Sequence, residues 1–251
     1  MARHTGRARE RFGGLGSKGD DRPFRRAVVP SAIHEWFHSA AADRSSPVWH
    51  PPLTTALSSV SSGRLGEVTC CLAYVWIGGH CWPNPVAIAG MSASMLDRSV
   101  FVDARGLEDR AWAIETALRC WARDGDGGSD RGSGSLCVVA DASGMDFKTT
   151  RRLQLAAEAG GSIGLMLRPP WEIGELSAAR TRWLVTPSPS PDTDQRWTLE
   201  LLRCKGVRPT MSEARRWAVT RCHATGDVRV VADAADRSVE APAAPARRQA
   251  V

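Results

Sequence analysis

The stretch from residue 135 to residue 169 constrains this chain more than any other. It opens Ser-Leu-Cys-Val-Val-Ala-Asp and closes Ser-Ile-Gly-Leu-Met-Leu-Arg-Pro. Residues 136–140 form a continuous apolar run, ended by Asp141 and a turn signal, Ser143-Gly144. Residues 163–167 form a second run, ended by Arg168-Pro169-Pro170, and residues 147–161 between them read as one helix. Two short all-apolar runs around one helix, within about thirty residues, describe a βαβ unit in a parallel sheet buried on both faces. Strands of such a sheet carry their ligand-facing residues at their carboxyl ends. Asp141 has that position. An acid after an apolar strand is how nucleotide hydrolases hold Mg²⁺ and orient water.

The rest of the chain supplies partners for this unit. Residues 27–37 are the first apolar-rich element, and 53–62 read as a short helix after a polar loop over 39–52. Residues 69–77 are a further buried-strand candidate closed by Gly78-Gly79, and 99–102 a short strand ending at Asp103. Over 107–123, Leu107, Ala111, Ile114, Leu118 and Trp121 recur at helical spacing. Acids stand in that helix's first turn and Arg119 and Arg123 in its last, as the helix dipole favours. A Gly/Asp/Ser-rich insertion over 124–135 follows. Residues 178–185 and 196–204 read as strands around a hairpin loop at 187–194, the second with apolar and polar residues alternating. Residues 217–220 and 228–232 add short strands. The expected fold is α/β, with a mostly parallel sheet flanked by helices and antiparallel strands at its C-terminal edge.

Charge separates the body from its ends. Of the net +6, +5 falls within residues 1–26 and +1 within 236–251. Inside the body, residues 27–150 carry −4 and 151–235 carry +4. Thirty of the thirty-three bases are Arg, a pattern as well explained by an Arg-favouring genome as by phosphate contacts. The expected organisation is a disordered basic arm (1–26), one core domain (27–235) and a disordered tail (236–251). No apolar run approaches the ~18 residues of a membrane span. The seven cysteines lack the spacing of a disulfide framework, so reduced thiols and a cytoplasmic location are expected.

The chemistry that Asp141 would need is missing around it. A phosphate loop requires Gly-x-x-x-x-Gly-Lys-Ser/Thr between a strand and a helix, and no such run occurs. The sequence Gly-Gly-Leu-Gly-Ser-Lys-Gly at 13–19 has neither the spacing nor the preceding strand. Cys70-Cys71, His80-Cys81 and Cys222-His223 do not have metal-ligand spacing, and no Gly-x-Ser-x-Gly elbow exists. Trp112 and Trp121 fall on the helical stripe and Trp76 in an apolar strand, which assigns them to the core rather than to base stacking. Asp141 is expected to act as a turn or cap residue. Neither a cofactor nor a metal is expected.

Several segments together resemble the ImuA family of RecA-like proteins from SOS mutagenesis cassettes. They are Ala-Ile-His-Glu at 32–35, Trp-Ala-Ile-Glu-Thr-Ala-Leu-Arg-Cys at 112–120, and Val-Val-Ala-Asp at 138–141. They continue with Arg-Arg-Leu-Gln-Leu-Ala-Ala-Glu-Ala-Gly at 151–160, Ser-Ala-Ala at 177–179 with Thr-Arg-Trp at 181–183, and Trp197 with Glu-Leu-Leu-Arg-Cys-Lys-Gly at 200–206. The resemblance implies a RecA-like core with degenerate Walker motifs. Asp141 would be a vestigial Walker B acid. Gly78 or Gly79 would stand where RecA has its catalytic glutamate, and Arg168 near RecA's γ-phosphate sensor. Arg203 and Lys205 would match the basic pair that a RecA protomer extends to its neighbour's ATP, and so would face RecA.

The implied role is non-enzymatic. The chain would be an adaptor or regulator in DNA-damage-induced translesion synthesis, with an ImuB-like Y-family polymerase homologue, an error-prone C-family polymerase, RecA and a weak DNA contact as partners. Two other readings stay open. One is a RecA-type DNA-binding ATPase with an unconventional loop near 39–46, and the other is a SulA-like cell-division inhibitor.

Overall fold

The computed structural model describes residues 31–38, 71–83, 93–120, 135–189, 195–205, 216–221 and 228–233. Nine strands form one sheet: β1 (Ala32–His38), β2 (Cys71–Ile77), β3 (Ser99–Val102), β4 (Ser135–Asp141), β5 (Ile163–Arg168), β6 (Thr181–Ser188), β7 (Gln195–Cys204), β8 (Arg216–Arg221) and β9 (Val228–Asp233). Their spatial order is β3-β2-β4-β5-β1-β6-β7-β8-β9. The six strands from β3 to β6 run parallel, and β7, β8 and β9 continue antiparallel. The architecture is α/β with a mixed, mostly parallel sheet, as the apolar runs predict. The expected helix over 53–62, Trp121, the insertion at 124–134 and the two terminal segments lie outside the described residues.

Three α-helices are described: α1 (Ala93–Asp97), α2 (Leu107–Arg119) and α3 (Phe147–Gly160). Local chemistry sets the ends of α3. The Asp146 carboxylate accepts the Thr149 N–H at 2.7 Å, and Gly161 closes the helix in the left-handed region at φ 64°. Ala111, Ile114, Ala117 and Leu118 of α2 and Leu153, Ala156 and Ala157 of α3 pack with Ile33, Ile77, Val138, Ala140 and Met166 on one face of the sheet. The other face is aromatic. Trp36, Trp76, Trp183, Trp197 and Trp217 gather there with Tyr74 and Met95, and Trp36 stacks on Trp183 with centroids 5.4 Å apart.

Three sequence expectations are corrected. Trp112 is 69% exposed rather than core. It sits one position past the buried Ala111, and a step of about 100° per residue turns it off the apolar face. The strand expected at 178–185 starts at Thr181 instead. Residues before it are engaged elsewhere: Ala178 N–H bonds the Thr150 hydroxyl at 3.1 Å and Arg180 N–H bonds the Ile33 carbonyl at 2.9 Å. The same strand runs on to Ser188, taking Pro187 from the expected loop. Pairing with β1 stops at Val185, so Pro187 falls where β1 asks nothing of its nitrogen.

The two helices touch through a glycine. A Cβ on Gly160 would stand 1.8 Å from the Leu118 carbonyl oxygen of α2. The G160A variant raises helix propensity yet is expected to lose about 1–3 kcal/mol or more by overpacking. Urea denaturation checks this; a stability equal to or above that of the parent chain contradicts the packing.

Candidate functional site

Asp141 ends β4 and is 1% exposed. One carboxylate oxygen, Oδ1, accepts the Ser143 N–H at 3.0 Å and the Ser143 hydroxyl at 2.6 Å, a local turn that agrees with the expected turn role. The other oxygen, Oδ2, faces the Arg110 guanidinium of α2. The Nε–Oδ2 separation is 3.9 Å, so charge rather than a hydrogen bond couples them. Arg110 is held in place by its other nitrogens, Nη1 donating to the Arg105 carbonyl at 3.0 Å and Nη2 to the Ser143 carbonyl at 2.9 Å.

Gly78, just past the end of β2, makes room for that arginine. Its φ of 89° lies in the region that favours glycine, and a Cβ there would stand 3.1 Å from both Arg110 Cδ and Asp141 Cβ. Where the resemblance would place a catalytic acid there is no side chain, and the stem of Arg110 crosses the gap. Arg110 was not singled out in the sequence. It falls on the inward side of α2, one turn before the buried Ile114, and its side chain is largely covered; a lone charge among the polar residues of a helix's first turns carries no local signal of that.

Cys81 lies beneath the same strand ends, with Sγ 3.1 Å from the Ile77 carbonyl and 3.0 Å from that of Gly78. Burial, and then the nearby Asp141 charge, push its thiol up to about 12. Among the described residues no group of three or more His, Cys, Asp or Glu is placed to hold a metal ion.

A second polar constellation lies two strands away, on the face covered by α3. Glu35 in the middle of β1 is fully buried. Its Oε1 accepts Arg168 Nη1 at 3.0 Å and the Ser177 hydroxyl at 2.6 Å; its Oε2 accepts Arg182 Nε at 2.8 Å. Arg168 also donates to Glu172 Oε2 at 2.8 Å and to the Met145 carbonyl at 2.9 Å. Arg182 donates to the Ile173 carbonyl at 3.1 Å and lies over the Phe37 ring at 4.8 Å. Two acids, Glu35 and Glu172, thus balance two guanidiniums. Arg168, matched by resemblance to a phosphate sensor, has its donors directed inward and is 1% exposed. Glu35 and Arg182 lay in the family-like segments without a role. The available signal was one charge of each sign inside otherwise apolar runs.

Arg203 lies at the end of β7 and Lys205 just past it, away from Asp141. Register places Arg203 opposite Arg182, level with Glu35, Met166 and Ala140, and four strand spacings separate β7 from β4, about 19 Å. Arg203 Nη2 donates to the Ser177 and Ala179 carbonyls at 2.7 and 3.0 Å, and the Lys205 ammonium to the Ala178 carbonyl. Both are half-buried. Burial, and then the Arg182 charge, lower the pKa of Arg203; burial, and then Arg203 and Arg151, lower that of Lys205.

This chain is 38% identical over 92 residues to the protein ImuA of Caulobacter vibrioides strain NA1000 / CB15N, and equally to that of strain ATCC 19089 / CIP 103742 / CB 15. Each match takes in 30% of this chain and 38% of the relative, so the chain aligns with well under half the length of the curated relatives it matches. No protein-family model matches. The relationship to ImuA is a distant one. No helix among the described residues is long and apolar enough to cross a membrane.

Two outcomes follow from this geometry. The E35A variant leaves two buried guanidiniums with the one acid Glu172 and is expected to lose about 3–5 kcal/mol, whereas the apolar triple variant E35L/R168M/R182M loses much less. Denaturant titration of both separates a charge penalty from a packing one. Alkylation at pH 8 followed by mass spectrometry is expected to label the exposed Cys120 and spare Cys81 in the folded chain. Because the Cys81 pKa is raised on folding, its contribution to stability is intact below 9.0 and is lost as pH rises from there toward 12.

Proposed function

We propose that this chain is a RecA-like scaffold that performs no nucleotide hydrolysis and acts as an accessory protein of SOS mutagenesis. In this role it works as an adaptor between an ImuB-like polymerase homologue and an error-prone C-family polymerase. The similarity to ImuA supports the cellular role. The parallel part of the sheet supports the RecA-like reading: β1 is inserted between β5 and β6, and the Asp141 strand lies between β2 and β5. A wholly cytoplasmic, nucleoid-associated location belongs to the same reading.

The observation that carries the non-enzymatic part is Arg110. A hydrolase of this type needs an open place beside the strand-end acid for Mg²⁺, and a base on the neighbouring strand. Here the chain's own guanidinium stands beside Asp141 with Gly78 on the neighbouring strand end. A fixed internal cation competes with a metal for the same carboxylate and adds repulsion against any incoming divalent ion.

Isothermal titration with Mg²⁺–ATP, with and without single-stranded DNA, is expected to show no binding at millimolar nucleotide. Turnover that is lost in D141N would overturn the proposal in favour of an ATPase. Pull-down with the tagged full chain from DNA-damaged cells is expected to recover the ImuB-like protein and the polymerase. RecA is a further expected partner, and recovery of FtsZ in place of the three points to the cell-division reading.

A further inference from the structure

Two like-charged rungs stand next to each other where β6 meets β7. Arg182 faces Arg203 across the antiparallel pair, and the Lys205 N–H bonds the Arg180 carbonyl at 2.8 Å, which sets Lys205 beside Arg180. Like charges directly opposite each other on strands are destabilising. The first rung is relieved, because Arg182 is bound to Glu35. The second has no ion pair of that kind among the described residues.

Among the described residues, the charges around Lys205 are Arg203, Arg151 of α3, Arg180 and one acid, Glu158. Glu158 is itself engaged, accepting the Gln154 amide at 2.8 Å. Four cations therefore meet one carboxylate among the described residues. By contrast Arg152, the next residue on α3, is matched to Glu115 at 2.7 Å.

The heads are also held in place. Arg203 and Lys205 donate to three successive carbonyls, those of Ser177, Ala178 and Ala179. Those carbonyls orient the cations without cancelling their charge, and each head keeps further N–H donors (five on a guanidinium, three on an ammonium). A surface that assembles cations from a helix, a pre-strand segment and a strand end, and holds them in excess of the acids near them, is arranged for an anion from outside.

We propose that Arg151, Arg180, Arg203 and Lys205 form a docking surface for the phosphate backbone of a nucleic-acid strand. Three of the four groups are guanidiniums, whose planar fork matches phosphate oxygens two at a time. Such contacts position a strand without reading its bases, so binding is independent of sequence and falls steeply with salt. The anion also relieves the repulsion between the Arg180 and Lys205 rung, so binding stabilises this edge of the sheet. The surface is set apart from the Asp141 site and does not depend on the adaptor reading, since it needs only this chain and nucleic acid.

The test is fluorescence anisotropy with the full chain and a short labelled DNA strand of mixed sequence, over a series of salt concentrations. The R151Q/R180Q variant changes two cations that carry none of the loop-pinning bonds. It is expected to bind about tenfold or more weakly and to reduce the slope of log affinity against log salt by about 2. K205Q adds to the loss, R152Q leaves binding unchanged, and thermal melting of each variant shows that the fold is kept. Unchanged affinity in R151Q/R180Q overturns the proposal. So does binding that disappears on removal of residues 1–26 while the cluster variant of the full chain binds normally. Displacement of the strand by a polyglutamate peptide of equal charge at equal concentration also overturns it, and assigns the surface to an acidic protein partner.

Discussion

Glu35 is a carboxylate in the middle of a strand with no exposure, which is tolerable only because two guanidiniums and a hydroxyl meet it there. Through those groups it ties β1 to the end of β5, to the start of β6 and to the segment before β6. Glu172 extends the tie, taking Arg168 on one oxygen and the Gly144 N–H on the other, so the loop after Asp141 is fastened to the same network. A buried ion cluster of this kind adds little net stability over an apolar equivalent, and removing one member costs a great deal. Its effect is to make one arrangement of three strands and two loops much better than the alternatives.

The strand-end acid and the buried network divide the carboxyl edge of the sheet between them. In a working nucleotide enzyme this edge is left partly unsatisfied so that ligand oxygens and a metal can complete it. In this chain the completing groups are internal. Ser143 and Arg110 attend Asp141, while Glu35 and Glu172 attend Arg168. Among the described residues the excess of positive charge lies elsewhere, at the end of the β6–β7 pair around Lys205, where cations outnumber acids.

Much of the framework was legible from residues 135–169 alone. A five-residue apolar run, a capped amphipathic helix and a second apolar run each carry their own period, and β4, α3 and β5 appear where those periods place them. The turn role of Asp141 was legible for the same reason, because its partner Ser143 is two residues away. Trp112 was misjudged because large apolar side chains are expected inside, although its place one residue past Ala111 turns it off the buried face of α2. The start of β6 was misjudged because Ala178 and Ala179 are buried and apolar. Their backbone is spent on Thr150 and on the cations of β7 rather than on a neighbouring strand.

Local sequence therefore determined which segments are strands and helices, where α3 begins and ends, and that the sheet is largely parallel. Those properties depend on spacing of a few residues and on side chains that act on their own backbone. Tertiary structure alone decided that Glu35 meets Arg168 and Arg182, 133 and 147 residues further along, that Arg110 stands beside Asp141, and that Arg180 and Lys205 are neighbours. Each of those pairings exists only once β1 is inserted between β5 and β6 or α2 is laid across the ends of β2 and β4. Ionic contacts have no period in sequence, so the order of strands in the sheet had to be known before the charges could be assigned to one another.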